Sequence, residues 1–521
     1  GPGIDIAGLL TFGRPYEGNS RRRENHTQLS YTYSRTQRHH LWKTGATVNR
    51  VHLHAETPDG FGSNYLFGGL SDFLAGRPDG FRRSTGDAST DYAVNSWGAF
   101  FQDHWSLAPR WTLDMGIRYD FEQLPRSLDN DTNNLSPRFG LAYSPASRWV
   151  VRAGYGIFSD RYVLANLNRA IEMNGTQAFE QVAEGGDAAK VFRSSVVGTF
   201  EPLPAMAPSI FRADPRLAAS YSQQASLAAE YLLSSNLTAK VSYLWVRGVK
   251  LARTRNINLF SPVVLTPQNA ADLGIPDPTP QQLGRAVFGP ARQFPQYGNI
   301  YQIEDSASST YQGSSVSLDR RLADELEFSA SYTLSKVFDD ASDFNEQPEN
   351  PFDLRAERAP SLQHQQQRFV FNALWDLPIG EDEKNRGAVH DRSLLEHMLG
   401  HIEAAPILTI VTGRPENPMT GLDSNRGQAF PLSPRPRDYG RNSLTTRGQA
   451  TLDLRVLKYF PLGSPSRRLD LVVEFFNLFN HSNVTQINPI FGMNSAPLPG
   501  FMQLIAGTSA RQIQFSIDFE F

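Results

Sequence analysis

Apolar and polar residues alternate strictly along the stretch WTLDMGIRYDFE, residues 111–122. Side chains of a β-strand point alternately to its two faces. One face therefore carries Trp111, Leu113, Met115, Ile117, Tyr119 and Phe121, and the other carries Thr112, Asp114, Gly116, Arg118, Asp120 and Glu122. The pattern predicts a strand about twice the usual ~5–6 residues, with one apolar and one charged face.

The same period-2 pattern recurs along the whole chain and predicts about sixteen strands. Their spans are 5–13, 24–36, 40–56, 92–107, 111–125, 135–145, 148–160, 219–233, 237–250, 310–322, 326–338, 366–378, 400–413, 449–460, 466–479 and 509–521. No linker divides the chain, so residues 1–521 are expected to form one β-barrel domain.

The predicted connections alternate between tight turns and long loops rich in Gly, Pro and Asn. The tight turns include QRH (37–39), APR (108–110) and PAS (145–147). Two connections break the rule in length: 379–399 is long where a tight turn is due, and 126–134 is short where a long loop is due. All very long loops still fall on one side, as in outer-membrane barrels with short periplasmic turns and long extracellular loops.

These patterns predict an all-β fold, a transmembrane antiparallel β-barrel with its apolar face toward lipid and its charged face toward a wet lumen. A soluble propeller or sandwich is the alternative, but it would need short strands and short loops on both sides. Closing the sheet removes the strand edges that lipid does not tolerate.

Tryptophan positions agree with a membrane-spanning wall. Aromatic rings favour the two membrane–water interfaces. Five of the seven Trp lie beside the short-turn side and are the predicted membrane-interface aromatics: Trp42, Trp105, Trp111, Trp149 and Trp375. Trp97 and Trp245 lie further along their strands, where the second interface is expected.

Composition narrows the function classes. The formal net charge of -3 lacks the basic surplus of a nucleic-acid-binding protein. The absence of cysteine excludes thiol catalysis, disulfides and Cys-based metal sites. The mean hydropathy of -0.40 is compatible with a barrel, because alternating strands average to a neutral value.

Seven ordered stretches resemble the barrel of TonB-dependent outer-membrane transporters, and most closely the Oar-like subgroup with a carboxypeptidase-regulatory-like N-terminal domain. They are WGAFFQDHWSLAPRWTLDMGIRYD (97–120), NLSPRFGLAYSP (134–145), VVRAGYGIFSDRY (150–162), YQGSSVSLDRRLADELEFSASYTLSKVFDDASDF (311–344), RFVFNALWDLPIG (368–380), LDLRVLKYFPLG (452–463) and EFFNLFNHSN (474–483).

The resemblance implies a receptor in the Gram-negative outer membrane, surrounded by outer-membrane lipid. It would import a bulky nutrient of the siderophore, oligosaccharide or peptide class, using energy passed on by the TonB complex. Such transporters enclose a plug in a barrel of about 22 strands. No plug or coupling segment is recognisable here, so the expectation is a chain without its N-terminal regulatory-like domain, coupling segment, plug and roughly six strands. The alternative is a smaller unplugged barrel acting as a passive porin or surface adhesion barrel.

The C-terminal residues FEF resemble the aromatic signal that outer-membrane proteins present to the barrel-assembly machinery. Phe515, Phe519 and Phe521 would carry this signal, with Ile517 on the same face. A terminal strand can also end in Phe for structural reasons alone.

Candidate chemistry is sparse. No phosphate loop, GxSxG or HExxH motif occurs, so no enzyme activity, catalytic residue, cofactor or metal is predicted. His52 and His54 could share a metal ion but lack a third ligand. The loops DNDTNN (129–134) and DDASDFNE (339–346) could bind calcium, although solvated acidic loops are the preferred interpretation. Five loop residues could hold a nutrient or be ordinary solvated residues: Asn64, Tyr65, Tyr297, Asn299 and Tyr301.

Overall fold

The computed structural model describes residues 1–16, 18–125, 128–199, 202–323, 326–377, 400–429, 434–464 and 467–521. Fifteen long strands within these residues form the barrel wall. In chain order they are β1 (Arg21–Gln37), β2 (His40–Glu56), β3 (Ser89–Ala108), β4 (Trp111–Gln123), β5 (Leu135–Tyr143), β6 (Trp149–Ser159), β7 (Tyr221–Ser234), β8 (Leu237–Asn256), β9 (Ile300–Ala323), β10 (Leu326–Asp339), β11 (Gln367–Leu377), β12 (Ile402–Val411), β13 (Gln449–Ser464), β14 (Arg467–Phe476) and β15 (Gln512–Glu520).

Each wall strand pairs antiparallel with the next one in the chain, from β1 to β15. Two short strands extend the wall at its loop end. Ile210–Ala213 runs parallel to the start of β9, and Ala359–Pro360 pairs with the end of β10. The all-β, antiparallel barrel prediction is therefore confirmed.

The order of the strands is that of a closed barrel, in which β15 and β1 are neighbours at a seam. β1 pairs with β2 over 17 residues, and β15 and β1 are the hydrogen-bonded neighbours that close the barrel. All residues of β1 are exposed, and so are all residues of β15 except one.

Fifteen of the predicted strands are wall strands, and the predicted strand 5–13 is wrong. Its residues form two short strands, Gly3–Ile6 and Leu10–Gly13, which pair with each other. Gly8 has a φ of 68° and the amide of Leu9 donates to the carbonyl of Ile6, so the chain reverses there. Apolar and polar residues alternate on both sides of Gly8, so the sequence pattern gives no indication of this turn.

The remaining strands and the helices belong to the long loops and to the segment before β1. A five-stranded sheet has the order Ala178–Glu184, Gly80–Gly86, Asn64–Phe67, Gly3–Ile6 and Leu10–Gly13. Two-stranded sheets join Val263–Val264 to Ala286–Val287, Pro415–Glu416 to Leu444–Thr445, and Val484–Ile487 to Leu504–Gly507. The helices are α1 (Leu70–Leu74), α2 (Leu164–Glu172), α3 (Gly185–Phe192), a π-helix (Arg193–Val197) and a 3₁₀ helix (Leu354–Glu357).

The short and long connections lie at opposite ends of the wall, as the sequence predicts. Residues 38–39, 109–110, 144–148 and 235–236 connect wall strands tightly at one end. The long loops that the structure describes between wall strands leave from the other end. The predicted long connection 379–399 lies outside the described residues. No helix in the described part of the chain is long and apolar enough to cross a membrane.

The outer face of β2, β3 and β4 carries an apolar band. Residues that pair across these three strands form rows along the outer face. The row nearest the short turns contains Trp105 and Leu113, and the row furthest from them contains Val48, Trp97 and Phe121. The eight residue steps from Trp97 to Trp105 span ~26 Å at ~3.3 Å each, which matches the ~25 Å apolar band of a membrane barrel. The one charged group in these rows is Asp103, which contacts the ring of His40 at 2.8 Å.

Candidate functional site

The long loops fold into a cap with apolar cores of its own. The five-stranded sheet and α3 enclose one of them, made of Ile4, Ile6, Tyr65, Phe67, Phe81, Ala183, Ala188, Val191 and Phe192. A second core joins α2 to the inner face of the wall and contains Leu167 of α2 together with Leu53, Ala55, Tyr92, Val94 and Leu124. The loops are therefore fixed relative to the wall rather than separate from it.

The acidic loop 339–346 is held by an arginine. Arg441, which is 1% exposed, contacts Asp339 at 2.8 Å and Glu346 at 2.6 Å and 2.8 Å. Its guanidinium group occupies the position among the carboxylates where a cation would be expected. The preferred sequence interpretation of a solvated acidic loop is wrong here, because the charge of Arg441 compensates these carboxylates in a buried setting.

A second buried ion cluster lies beside the first. Arg435 contacts Glu357 at 2.5 Å, and Arg285 contacts Glu349 at 2.5 Å.

In the other acidic loop, 129–134, Asp131 accepts backbone N–H bonds from Asn133 at 3.3 Å and Ala219 at 3.1 Å. Its oxygens thus serve to join two loops.

Three of the five predicted nutrient-holding residues are structural instead. Tyr65 is 1% exposed in the core of the five-stranded sheet. Asn299 is fully buried and donates to Ser209 at 3.1 Å, and the hydroxyl of Tyr301 donates to the carbonyl of Gln428 at 2.7 Å. Tyr297 is half-buried, and Asn64 lines a cavity of about 1090 Å³. For these three residues, the predicted nutrient contact and the alternative of an ordinary solvated residue are both wrong, because tertiary packing buries them.

His52 and His54 share one face of β2, as predicted, and both contact Asp91 on β3. The distances from their ring nitrogens to the carboxylate oxygens are 2.9 Å and 3.4 Å. All three side chains lie on the outer face above the apolar band. No group of three or more His, Asp or Glu side chains among the described residues is placed to hold a metal ion.

The cap contains a partly open cavity of about 1090 Å³. We call it the cap cavity. Four regions form its walls: the five-stranded sheet with its loops, residues 274–282, residues 419–426 and residues 490–498. The volume reaches the upper end of the ~300–1,000 Å³ range of ligand pockets. The cap cavity is therefore the candidate binding site.

Carboxylates shape the electrostatics of the cap cavity. Burial, followed by the nearby charge of Glu184, raises the pKa of Asp423 to about 7, although the amides of Gly427 and Gln428 donate to its oxygens at 3.1 Å and 2.6 Å. Burial also raises the pKa of Asp79, with the nearby Asp72 adding to the shift. The surroundings of these two carboxyl groups thus disfavour their ionised forms.

The predicted interface aromatics lie at the short-turn end of the wall. Trp105 faces His40 in the β2–β3 register and Trp111 stacks on Tyr143 at 4.0 Å. Trp149 lies 4.6 Å from Tyr231 between ring centroids. Trp42 and Trp375 lie in the first rows of β2 and the last rows of β11.

The predicted assembly residues lie on the terminal strand. Phe515 pairs with Val473 and Phe519 with Leu469, and Phe521 directly follows β15. Their exposed fractions are 74%, 55% and 88%. These aromatic rings are open to a partner, which is the geometry that an assembly signal needs, and the signal itself stays a prediction.

Sequence reasoning missed the residues of the cap cavity. Asp79, Glu184, Asp277 and Asp423 are separated by about a hundred residues or more from one another, and they stand in loops without periodicity. No short motif joins them. Only the folding of the loops onto one another brings them together.

Comparison with known proteins gives a family match. The model of a family described as an outer membrane β-barrel domain matches residues 1–134 and 124–439. No curated protein matches the chain by sequence.

Solved structures share the fold. Similar structures are the outer-membrane transporter YddB from Escherichia coli (TM-score 0.54, 11% identity, 96% of this chain and 54% of that chain) and the siderophore receptor PirA from Acinetobacter baumannii (0.52, 10%, 96% and 55%). The ferripyoverdine receptor of Pseudomonas aeruginosa is also similar (0.51, 11%, 96% and 48%). The chain spans about half the length of these structures. At such identities the likeness concerns the barrel fold.

Proposed function

Because this chain belongs to the outer membrane β-barrel domain family, we propose that it forms the wall and extracellular cap of a nutrient importer. Its place is the Gram-negative outer membrane. The cap captures a bulky nutrient, and energy from the TonB complex drives the passage of that nutrient through the barrel.

The cap cavity is the observation that carries this proposal. It lies at the long-loop end, which faces the outside in outer-membrane barrels. Below it, the inner wall is charged: Arg118 contacts Asp120 at 2.6 Å, and Arg152 contacts Glu230 at 2.7 Å. A binding site above a polar lumen is the arrangement that capture followed by import requires.

The length of the similar structures supports a larger protein. This chain covers 54% of the transporter YddB and 55% of the receptor PirA, which share its fold. We therefore include a plug inside the barrel, supplied by further chain, in the proposal. Intact mass measurement of the native protein from outer membranes checks this: a mass well above 58.1 kDa is expected, and a mass near that value would contradict it.

Membrane insertion is part of the same proposal. Phe515, Phe519 and Phe521 are proposed to engage the barrel-assembly machinery. Replacing all three with Ser should leave the protein out of the outer-membrane fraction, whereas replacing the loop residue Phe294, which is 46% exposed, should not. Equal amounts of both variants in the membrane would contradict the assignment.

Uptake by cells tests the function itself. The disappearance of each small molecule from the growth medium is measured by mass spectrometry, in wild-type cells, in cells lacking this gene, and in wild-type cells treated with a proton uncoupler. We expect at least one nutrient to depend on both the gene and the proton gradient. Uptake that depends on the gene but not on the gradient would indicate a passive porin, and no gene-dependent uptake would indicate an adhesion barrel.

A further inference from the structure

The lining of the cap cavity is strongly unbalanced in charge. Two guanidinium groups, those of Arg82 and Arg426, face six carboxylates, which belong to Asp5, Asp72, Asp79, Glu184, Asp277 and Asp423. The carboxylates come from the five-stranded sheet, its loops, and both the 274–282 and 419–426 regions. Any ligand that fills the cavity therefore meets negative charge from several directions.

Both arginines already have partners within the cap. Arg82 contacts Glu180 at 3.5 Å and donates to the carbonyl of Gln428 at 3.4 Å. Arg426 donates to the carbonyl of Leu273 at 2.6 Å and contacts Glu184 at 3.5 Å. Neither guanidinium group is available to attract an anionic ligand without giving up these contacts.

Several carboxylates, in contrast, have few contacts. Asp277 is exposed on the 274–282 loop. Asp72 contacts Arg77 at 3.2 Å in a largely exposed pair, which is a weak interaction. Asp5 accepts a hydrogen bond from Thr11 at 3.1 Å, and burial raises its pKa. Positive charge brought in by a ligand would lower the cost of ionising these groups.

The cavity also has an independent apolar lining. Residues 419–422 and 490–498 contribute Met419, Leu422, Ile490, Met493 and Leu498. Methionine and branched aliphatic side chains adapt to apolar ligands and offer them no hydrogen bonds. A purely polar ligand such as an oligosaccharide would leave this part of the lining unused.

We propose that the cap cavity binds a short peptide that carries both ammonium groups and apolar side chains. The ammonium groups lie against Asp72, Asp79, Asp277 and their neighbours, and the apolar side chains lie against Met419, Ile490 and Leu498. This inference rests on the proposed import function and selects the peptide class of nutrient, with cationic character.

Isothermal titration of the detergent-purified protein tests the inference with three pentapeptides. The cationic probe is Leu-Lys-Leu-Lys-Gly, the anionic counterpart replaces both Lys by Glu, and the less apolar counterpart replaces both Leu by Gly. We expect the cationic probe to bind at least ten times more tightly than either counterpart. No binding of the cationic probe, or equal binding of the cationic and anionic probes, would overturn the proposal.

Charge-removing variants locate the binding. In the double variant Asp72→Asn with Asp277→Asn, the cationic probe should bind at least five times more weakly. Both side chains are at the surface of the cavity, so the cap should keep its fold. The matched control is Asp187→Asn on α3, an exposed acid that contacts Lys190 at 3.1 Å and does not line the cavity. An equal loss in this control, or no loss in the double variant, would contradict the site.

The binding experiment is independent of the uptake experiment. Tight binding of the cationic probe without energised uptake by cells would refute the importer and leave the peptide site intact. Energised uptake of an anionic or sugar-like nutrient, with no binding of the cationic probe, would refute the peptide site and leave the importer intact.

Discussion

The membrane-facing wall and the loop cap use opposite arrangements of the same residue types. In the apolar band, Ile117 and Tyr119 point outward and are 46% and 39% exposed, while Arg118 and Asp120 pair on the inner face at about 30% exposure. In the cap, apolar residues fill the inside and ion pairs are buried, as Arg441 and Asp339 are at 1% and 5%. The surrounding solvent, rather than the residue type, decides which side chains form the interior.

Strand β2 shows both arrangements within one element. Val48 lies on the outer face in the apolar band and is 42% exposed. Five residues later, Leu53 lies on the inner face, packs against α2 and is 1% exposed. The row of Arg50 and Asn95 separates the two regions. The strand thus leaves the lipid at this row, and its inner face becomes part of the core of the cap.

The largest effect is expected where a buried charge loses its partner. Arg441→Ala leaves Asp339 and Glu346 buried without a cation, which should cost roughly 3–5 kcal/mol. Hydrogen exchange of the 339–346 amides measures the local opening free energy. The control Arg355→Ala removes an exposed side chain and should change this opening free energy by less than ~0.5 kcal/mol. Similar values for the two variants would refute the role of Arg441.

The next effect concerns the lipid face. Ile117→Lys places a charge in mid-bilayer and should cost roughly 2–4 kcal/mol in the free energy of unfolding from lipid vesicles. The control is Gln102→Lys, on the inner face of β3, next to the residue that pairs with Ile117. It should cost well under 1 kcal/mol, because its side chain reaches water. Equal costs would show that the two faces are assigned wrongly.

A smaller and pH-dependent effect is expected at Asp423. Its pKa is about 7 in the folded cap and ordinarily 3.8. Between these values the folded state binds more protons than the unfolded state, so stability falls as the pH rises, by at most ~1.4 kcal/mol per pH unit. Asp423→Asn should remove this contribution from the opening free energy measured by hydrogen exchange at pH 5 and pH 7.5.

Another buried acid sets the background for that measurement. Burial raises the pKa of Glu172 to about 7 as well, so part of the decline should remain in the Asp423→Asn variant. The additional variant Glu172→Gln separates the two contributions. A slope between pH 5 and pH 7.5 that is the same in wild type and in Asp423→Asn would contradict the assignment.

The smallest effect is expected for a single neutral hydrogen bond. Tyr301→Phe removes the bond from the Tyr301 hydroxyl to the carbonyl of Gln428 and should cost about 0.5–1.5 kcal/mol. Hydrogen exchange of the amides around Gln428 reports this change. Tyr297→Phe, at a half-buried ring, is the control and should have little effect. A loss in Tyr301→Phe that is no larger than in the control would show that this hydrogen bond does not stabilise the cap.

The wall could be predicted from the sequence because its signal is local. A strand of ten or more alternating residues such as β4 carries its own evidence, and the alternation of turns and loops orders the strands. The cap could not be predicted this way. Arg441 contacts Asp339 across 102 residues. Tyr301 precedes the predicted strand 310–322, and its position in the sequence gives no sign that it will be buried at the start of β9. Such contacts depend on which loops meet, and period-2 patterns carry no information about that.

Cysteine labelling in whole cells tests the central claim, that the apolar band lies in lipid with the cap outside, most directly. The chain has no cysteine, so Asp277→Cys in the cap, Ile117→Cys in the band and Pro109→Cys in a short turn each provide a single thiol. A membrane-impermeant maleimide should label Asp277→Cys in intact cells, Pro109→Cys only after the outer membrane is opened, and Ile117→Cys in neither case. Labelling of Pro109→Cys from outside, or of Ile117→Cys in the membrane, would contradict the account.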